Sequence, residues 1–264
     1  MHKLSVFIIT KNEEKRIAKV LDSISAIASE VIVVDSGSTD GTEEIVKSYG
    51  HKFVYNSWNG YEKQKIFGEA ICSHDWILNI DADEPLSPEL AGEIYNILKK
   101  ESPEFNCYRI PIRIVHRISK HNSKFAPTNS PIRLYNKKYA SFSAKKVTGL
   151  AHDSVFPKDA KEPVGKLKHP VYHMSLISID QAVEKAHFVS TVQANDLIMK
   201  NRIPGRLRIV FELFAAFFKA YILRRYFLFG FDGFVDSAIF AFARFLRLAK
   251  AREYYLTKVD TSRE

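Results

Sequence analysis

Through its first hundred residues the chain alternates short β-branched runs with stretches of helical periodicity, and this alternation leaves few folds open. Strands are expected at 4–10, 31–35, 52–55 and 76–80. Between them, Ile17, Val20, Leu21, Ile24 and Ile27 recur at helical spacing within 14–27, a second helix at 42–49 stops at Gly50, and a third lies near 64–71. Ser87 then caps a fourth helix that has Pro88 at its first position. Strand and helix in strict succession predict an α/β fold with a mostly parallel sheet and helices on both of its faces.

After Pro103 the pattern changes to strand-like pieces at 107–115 and 132–135, separated by a polar, basic loop from 116 to 130, and from Ile179 the chain turns helical. A division near 200–205 therefore separates a sheet-bearing part, 1–200, from a helical segment, 201–264. Cys72 and Cys107 are too few for a disulfide framework or a thiolate metal site, so a reducing, cytoplasmic setting is expected. The apolar start at 4–10 is cut short by Lys11-Asn12-Glu13-Glu14, which is not the shape of a secretion signal.

The 264 residues carry a formal net charge of +9, and nearly all of it sits in one place. Residues 200–252 hold 11 Lys and Arg against 3 Asp and Glu, a balance of +8, together with 11 of the 19 phenylalanines. No uncharged run there approaches the roughly 18 to 20 residues of a spanning helix, so no transmembrane segment is expected. Amphipathic helices with phenylalanine on one face and cations on another suit an anionic membrane surface, or pack on the rest of the chain or on another subunit. Nucleic acid is not expected as a partner, because Leu, Ile and Ala between the cations look like packed helix faces.

In an open α/β sheet ligands bind beyond the carboxyl ends of the strands, and three strands here end in polar residues. These are Thr10-Lys11-Asn12-Glu13, Asp35-Ser36-Gly37-Ser38-Thr39-Asp40-Gly41 and Asp81-Ala82-Asp83-Glu84. The second equally suits a turn running into a helix cap, and the third a solvated turn before the Ser87 cap. Two carboxylates delivered by an apolar strand also make a hard oxygen site for Mg²⁺ or Mn²⁺ on a diphosphate. The glycine patterns of dinucleotide and P-loop sites are both absent.

Taken in order, Thr10-Lys11-Asn12-Glu13-Glu14, the stretch from Val33 through Asp35 to Thr42, and Leu78-Asn79-Ile80-Asp81-Ala82-Asp83-Glu84 resemble family 2 inverting glycosyltransferases of the GT-A fold. Further along, Gly60-Tyr61-Glu62-Lys63-Gln64-Lys65, Tyr108-Arg109-Ile110-Pro111, Ile132-Arg133-Leu134-Tyr135, Ala151-His152-Asp153, Val171-Tyr172-His173 and Gly230-Phe231-Asp232-Gly233 resemble the branch of lipopolysaccharide-core β-1,4-glucosyltransferases.

That resemblance implies a Rossmann-like nucleotide-diphospho-sugar transferase fold with appended C-terminal amphipathic helices. Asp35 would read the uracil of a UDP-sugar, Thr10 and Glu13 would line the uridine site, and Asp81 would face ribose or sugar. Asp83 would bind the divalent cation with His173, for which role His152 and His169 compete. Lys63 would offset diphosphate charge, and Arg133 would contact diphosphate or form a structural pair. Asp153, where the family usually shows glutamate, would take the proton of the attacking acceptor hydroxyl in a single inverting displacement. The expected enzyme is a peripheral protein of the cytoplasmic face of the inner membrane that moves a hexose, glucose from UDP-glucose, to a lipid-anchored lipopolysaccharide inner-core acceptor. A different lipid-linked or polysaccharide acceptor, or a scaffold without turnover, stays open at this point.

Overall fold

The computed structural model describes residues 1–115, 129–142, 154–173 and 178–261. They divide into two compact units, 1–113 with 128–173, and 114–127 with 174–264.

The first unit is built on a seven-stranded sheet. Its strands are β1 (Leu4–Thr10), β2 (Glu30–Asp35), β3 (Lys52–Tyr55), β4 (Trp76–Asp81), β5 (Cys107–Arg109), β7 (Ile132–Asn136) and β10 (Val164–Lys166), in the order β10-β5-β7-β4-β1-β2-β3. β4, β1, β2 and β3 run parallel, whereas β7 is antiparallel to both β4 and β5. Two small ribbons complete the unit: β6 (Ile112–Ile114) with β11 (Val171–His173), and β8 (Ala140–Ser141) with β9 (Phe156–Pro157).

The helices are α1 (Ile17–Ile24), α2 (Thr42–Ser48), α3 (Tyr61–Ala70) and α4 (Pro88–Lys99). Alternate residues of one strand point to opposite faces, and both faces here are covered. Val6 and Ile8 of β1 pack in one cluster with Ile17, Leu21, Val46 and Leu90 from α1, α2 and α4. Phe7 and Ile9 enter a second cluster, which receives Ile66 and Phe67 of α3 from the other side. This two-sided burial is why β1 is apolar at nearly every position rather than alternating. α3 lies so close to the sheet that a Cβ at Gly68 would stand 2.5 Å from the Phe7 ring.

The single strand expected at 107–115 is two, β5 and β6, broken at Pro111, which lacks the N–H that a continuing ladder needs. The loop expected from 116 lies outside the described residues as far as 128.

The second unit consists of α5 (Ile179–Met199), α6 (Arg206–Phe218), and α7 (Gly230–Thr261), with a π-helical turn and a 3₁₀ turn between the last two. Ser178 caps α5 by accepting from Gln181 N. Polar clamps lock α7 to its neighbours. Lys250 Nζ donates to Ser190 Oγ at 2.8 Å and Thr191 Oγ1 at 2.7 Å on α5. Arg244 and Arg247 both meet Glu212 of α6, at 3.2 and 3.0 Å. A compact division falls before α5.

The helical stretch Tyr226–Thr257 is long and apolar enough to cross a membrane by length and composition, with 22% of its most apolar 18 residues buried. A search for uncharged runs passes over it, because Asp232 and Asp236 interrupt the run although they are only two charges one helical turn apart.

Candidate active site

Parallel pairing aligns the ends of three strands. Thr10 lies in register with Asp35, and Ile9 with Asp81, so the three polar segments open onto one edge of the sheet. The loops after β1 and β2 are stitched together. Asn12, in the left-handed region at φ 56°, accepts from Thr39 N through Oδ1 at 2.8 Å, and its own N–H donates to Ser38 Oγ at 2.8 Å. Glu13 N donates to Thr42 Oγ1 at 2.8 Å, and Gly41 N to Glu14 at 3.0 Å.

Asp35 is buried and held by its own loop. Its Oδ2 accepts from Gly37 N and Ser38 N, both at 2.7 Å, and Oδ1 accepts from Ser38 Oγ. The turn needs φ 98° at Gly37, a value open to glycine and strained for other residues. Thr10 Oγ1 is buried and has no hydrogen-bond partner among the described residues. An unmatched buried hydroxyl is costly, and at a strand's carboxyl end it is a place where a ligand's polar atom would be welcome.

Around β4 lies a dense ion cluster. Asp81 is contacted by Lys65 Nζ on Oδ1 and by Arg133 Nη2 on Oδ2, each at 3.1 Å. Burial disfavours its charge, but Lys65 and Arg133 outweigh burial and hold the carboxyl far below the usual carboxylate range. Arg133, on the antiparallel neighbour β7, also donates to Asn79 Oδ1 at 2.9 Å and meets Glu84 at 2.9 Å. Glu13 takes both arms of Arg16 in a bidentate pair, and Arg16 reaches on to Asp83 at 3.7 Å.

His173 arrives from β11. A bridge from Val171 to Leu86 and a hydrogen bond from Tyr172 N to Pro85 O, 2.9 Å, dock that strand on the loop after β4. Its Nδ1 stands 3.3 Å from Glu84 and 3.5 Å from Asp83, buried and outside hydrogen-bond geometry to either. Burial lowers the proton affinity of His173, but Glu84, Asp83 and Asp81 outweigh it and raise the imidazole above its ordinary value. Burial pushes the Asp83 carboxyl up, only partly offset by His173.

The structure therefore brings Asp81, Asp83, His173 and Arg133 together and seats Thr10, Glu13 and Asp35 along the same sheet edge. Lys63 is exposed in the first turn of α3; the cation delivered to Asp81 is Lys65, almost fully buried two residues on. Arg133 is engaged by Asn79, Asp81 and Glu84, the pairing alternative of the two expected for it. Sequence reasoning passed over Lys65, Arg16 and Glu84. Two cations alternating along Lys63-Gln64-Lys65 signalled that one faces inward, without saying which. Asp153, with His152, lies outside the described residues. His169 is engaged elsewhere, 3.1 Å from Glu93.

Among the described residues no group of three or more His, Cys, Asp and Glu stands in metal-ligating geometry. Asp83 and His173 form a pair of one hard oxygen and one imidazole, which suits Mn²⁺ or Mg²⁺ completed by diphosphate oxygens. The charge balance agrees. Glu13, Asp81, Asp83 and Glu84 face Arg16, Lys65 and Arg133, so the cluster has one carboxylate to spare when His173 is neutral.

Comparison with known proteins identifies the family of the chain. The family model described as glycosyl transferase family 2 matches residues 5–164. An uncharacterized glycosyltransferase of Rickettsia bellii is 52% identical over 258 residues, covering 96% of this chain and 87% of that one. The lipopolysaccharide core biosynthesis glycosyltransferase LpsC of Rhizobium meliloti is 30% identical over 264 residues, 97% of this chain and 94% of its own. Among solved structures, glucosyl-3-phosphoglycerate synthase of Mycobacterium tuberculosis, in complex with Mn²⁺, UDP and glucosyl-3-phosphoglycerate, matches with 28% identity and a TM-score of 0.37. That match covers 42% of this chain and 44% of the synthase chain.

Proposed function

The chain belongs to glycosyl transferase family 2 and is a glycosyltransferase with a GT-A sheet, and from that premise we propose that it moves glucose from UDP-glucose to an inner-core sugar of lipopolysaccharide. The observation that carries the donor half is the alignment of Thr10, Asp35 and Asp81 at one sheet edge, with Asp83 and His173 beside them. The acceptor half rests on the likeness over nearly full length to LpsC.

In this reading Asp35, its loop already rigid, accepts from the uracil imide while the Thr10 hydroxyl and the Glu13 region border the ribose. Asp81, kept ionised by Lys65 and Arg133, faces ribose or sugar hydroxyls as a fixed acceptor. Lys63, exposed near the N-terminus of α3, meets diphosphate by side-chain movement. Asp83 and His173 would hold the divalent cation, whose contribution when bound is to neutralise charge on the diphosphate leaving group. Asp153 takes the proton of the acceptor hydroxyl as its oxygen attacks the anomeric carbon and the bond to UDP breaks, with inversion. The basic, phenylalanine-rich helices keep the enzyme at the anionic cytoplasmic face of the inner membrane, where a lipid-anchored acceptor resides.

The test is transfer of labelled glucose from UDP-glucose to detergent-dispersed core oligosaccharide lipid. Asp153→Asn should lower kcat by about 10³-fold with UDP affinity retained, the scale of a lost general base. Turnover that survives the substitution would assign the base elsewhere.

A further inference from the structure

α5, α6 and α7 of the second unit, with the turns between the last two, line an open cavity of about 560 Å³, within the range of pockets that hold small molecules. Alanines from all three helices, Ala182 and Ala186 from α5, Ala215 and Ala216 from α6, and Ala243 from α7, form part of its wall beside larger apolar side chains such as Val189, Phe229 and Ile239. Four cations line the same cavity, Lys185, Lys219, Arg224 and Arg244, against two carboxylates, Glu212 and Asp236.

The positive excess is larger than that count suggests, because Glu212 is already shared between Arg244 and Arg247. Burial and the neighbouring charges of Arg244 and Arg208 hold the Arg247 guanidinium below its usual range, and Glu212 only partly offsets them. Arg224 is fixed at the wall by lying 4.5 Å over the Phe240 ring. A cavity that is apolar inside and cationic at its lining is complementary to a molecule with an anionic head and an apolar tail. The outer surfaces of the same helices point the same way, with Phe211 65%, Phe214 59% and Phe231 78% exposed.

We infer that this cavity binds an anionic phospholipid of the bilayer, its phosphate meeting Lys185, Lys219 and Arg224 and its acyl chain entering between the alanines. The inference rests on the reading of the enzyme as membrane-associated and deepens it from a general surface attraction to a discrete lipid site.

The test is calorimetric titration of the full chain with dihexanoyl phosphatidylglycerol below its micelle concentration, with dihexanoyl phosphatidylcholine and inorganic phosphate as separate titrants. Saturable one-to-one binding of the phosphatidylglycerol is expected, with the other two at least about tenfold weaker. The exposed pair Lys219→Ser with Arg224→Ser should weaken it about tenfold or more, since each cation near an anionic lipid contributes roughly 1 kcal/mol. Ala243→Leu, which fills the cavity, should abolish it; if that variant does not fold, the double serine variant decides. Equal affinity for phosphatidylcholine, inorganic phosphate binding as tightly as the lipid, or full affinity in the double serine variant would each overturn the site. UDP affinity and vesicle flotation, measured on the same variants, separate failure of this cavity from failure of the donor-site or membrane reading.

Discussion

Asp81 illustrates how this protein fixes the charge of a partly buried side chain. Its carboxylate has Lys65 on one oxygen and Arg133 on the other, so removing either leaves a poorly compensated buried charge. Lys65→Met should therefore lower the unfolding free energy by about 3 kcal/mol in urea titration, whereas Lys63→Met, at an exposed position, should change it by less than about 0.5 kcal/mol. Equal effects would mean that the buried pair adds nothing. Glu30 gives the pH dependence. Burial raises its pKa, but hydrogen bonds from Ser5 and Ser73 and the charge of His74 outweigh that and lower it. A lowered carboxylate contributes stability above its unfolded pKa and loses it as pH falls through the folded value. The stability gap between wild type and Glu30→Gln should thus be present at pH 7 and narrow as pH falls below 4.5, the ordinary glutamate value. A gap that persists unchanged at pH 3 would contradict the assignment. Both cysteines are buried and free, with burial pushing the thiols up to about 12 at Cys72 and about 11 at Cys107. Neither should react with a thiol reagent at pH 8 in the folded protein, and both should react in denaturant.

At the scale of elements, the strand ends were legible because an apolar run that stops at Asp or Thr marks both its boundary and its polar edge. Asp35, Asp81 and Asp83 were found in that way. α1 was expected to begin at Glu14 and begins at Ile17, because Glu13 O accepts from both Arg16 N and Ile17 N in the turn that brings Arg16 back to Glu13. No periodicity reports such a side-chain pair. The approach of α3 to β1 was equally hidden, since it depends on the missing side chain at Gly68. Gly68→Ala should cost about 1–3 kcal/mol in chemical denaturation through its clash with Phe7. Gly92→Ala, with open space around the added carbon, should stabilise α4 or leave it unchanged. The partners of His173 were beyond the sequence for another reason, since β11 reaches the loop after β4 by a pairing between distant segments.

For the whole molecule, two units of different character share one chain: a sheet whose carboxyl edge gathers ionisable groups, and a helical unit whose stretch 200–252 carries a balance of +8 out of the chain's +9 and many exposed phenylalanines. The second unit's composition was plain in the sequence, whereas the helical pattern of α5 says nothing of which neighbours cover it. If these helices hold the enzyme to a membrane, the triple variant Phe211→Ser, Phe218→Ser, Phe231→Ser should lose flotation with anionic vesicles while its melting temperature stays within a few degrees. The function proposed here stands on a nucleotide-sugar site at the sheet edge, completed by a cation on Asp83 and His173. The most direct measurement is calorimetric titration of UDP into the purified protein with and without Mn²⁺, repeated with Asp83→Ala. The account predicts UDP binding that strengthens at least tenfold with Mn²⁺ and loses that dependence in the variant. Absence of UDP binding by well-folded wild type, with Mn²⁺ or Mg²⁺ present, would contradict it.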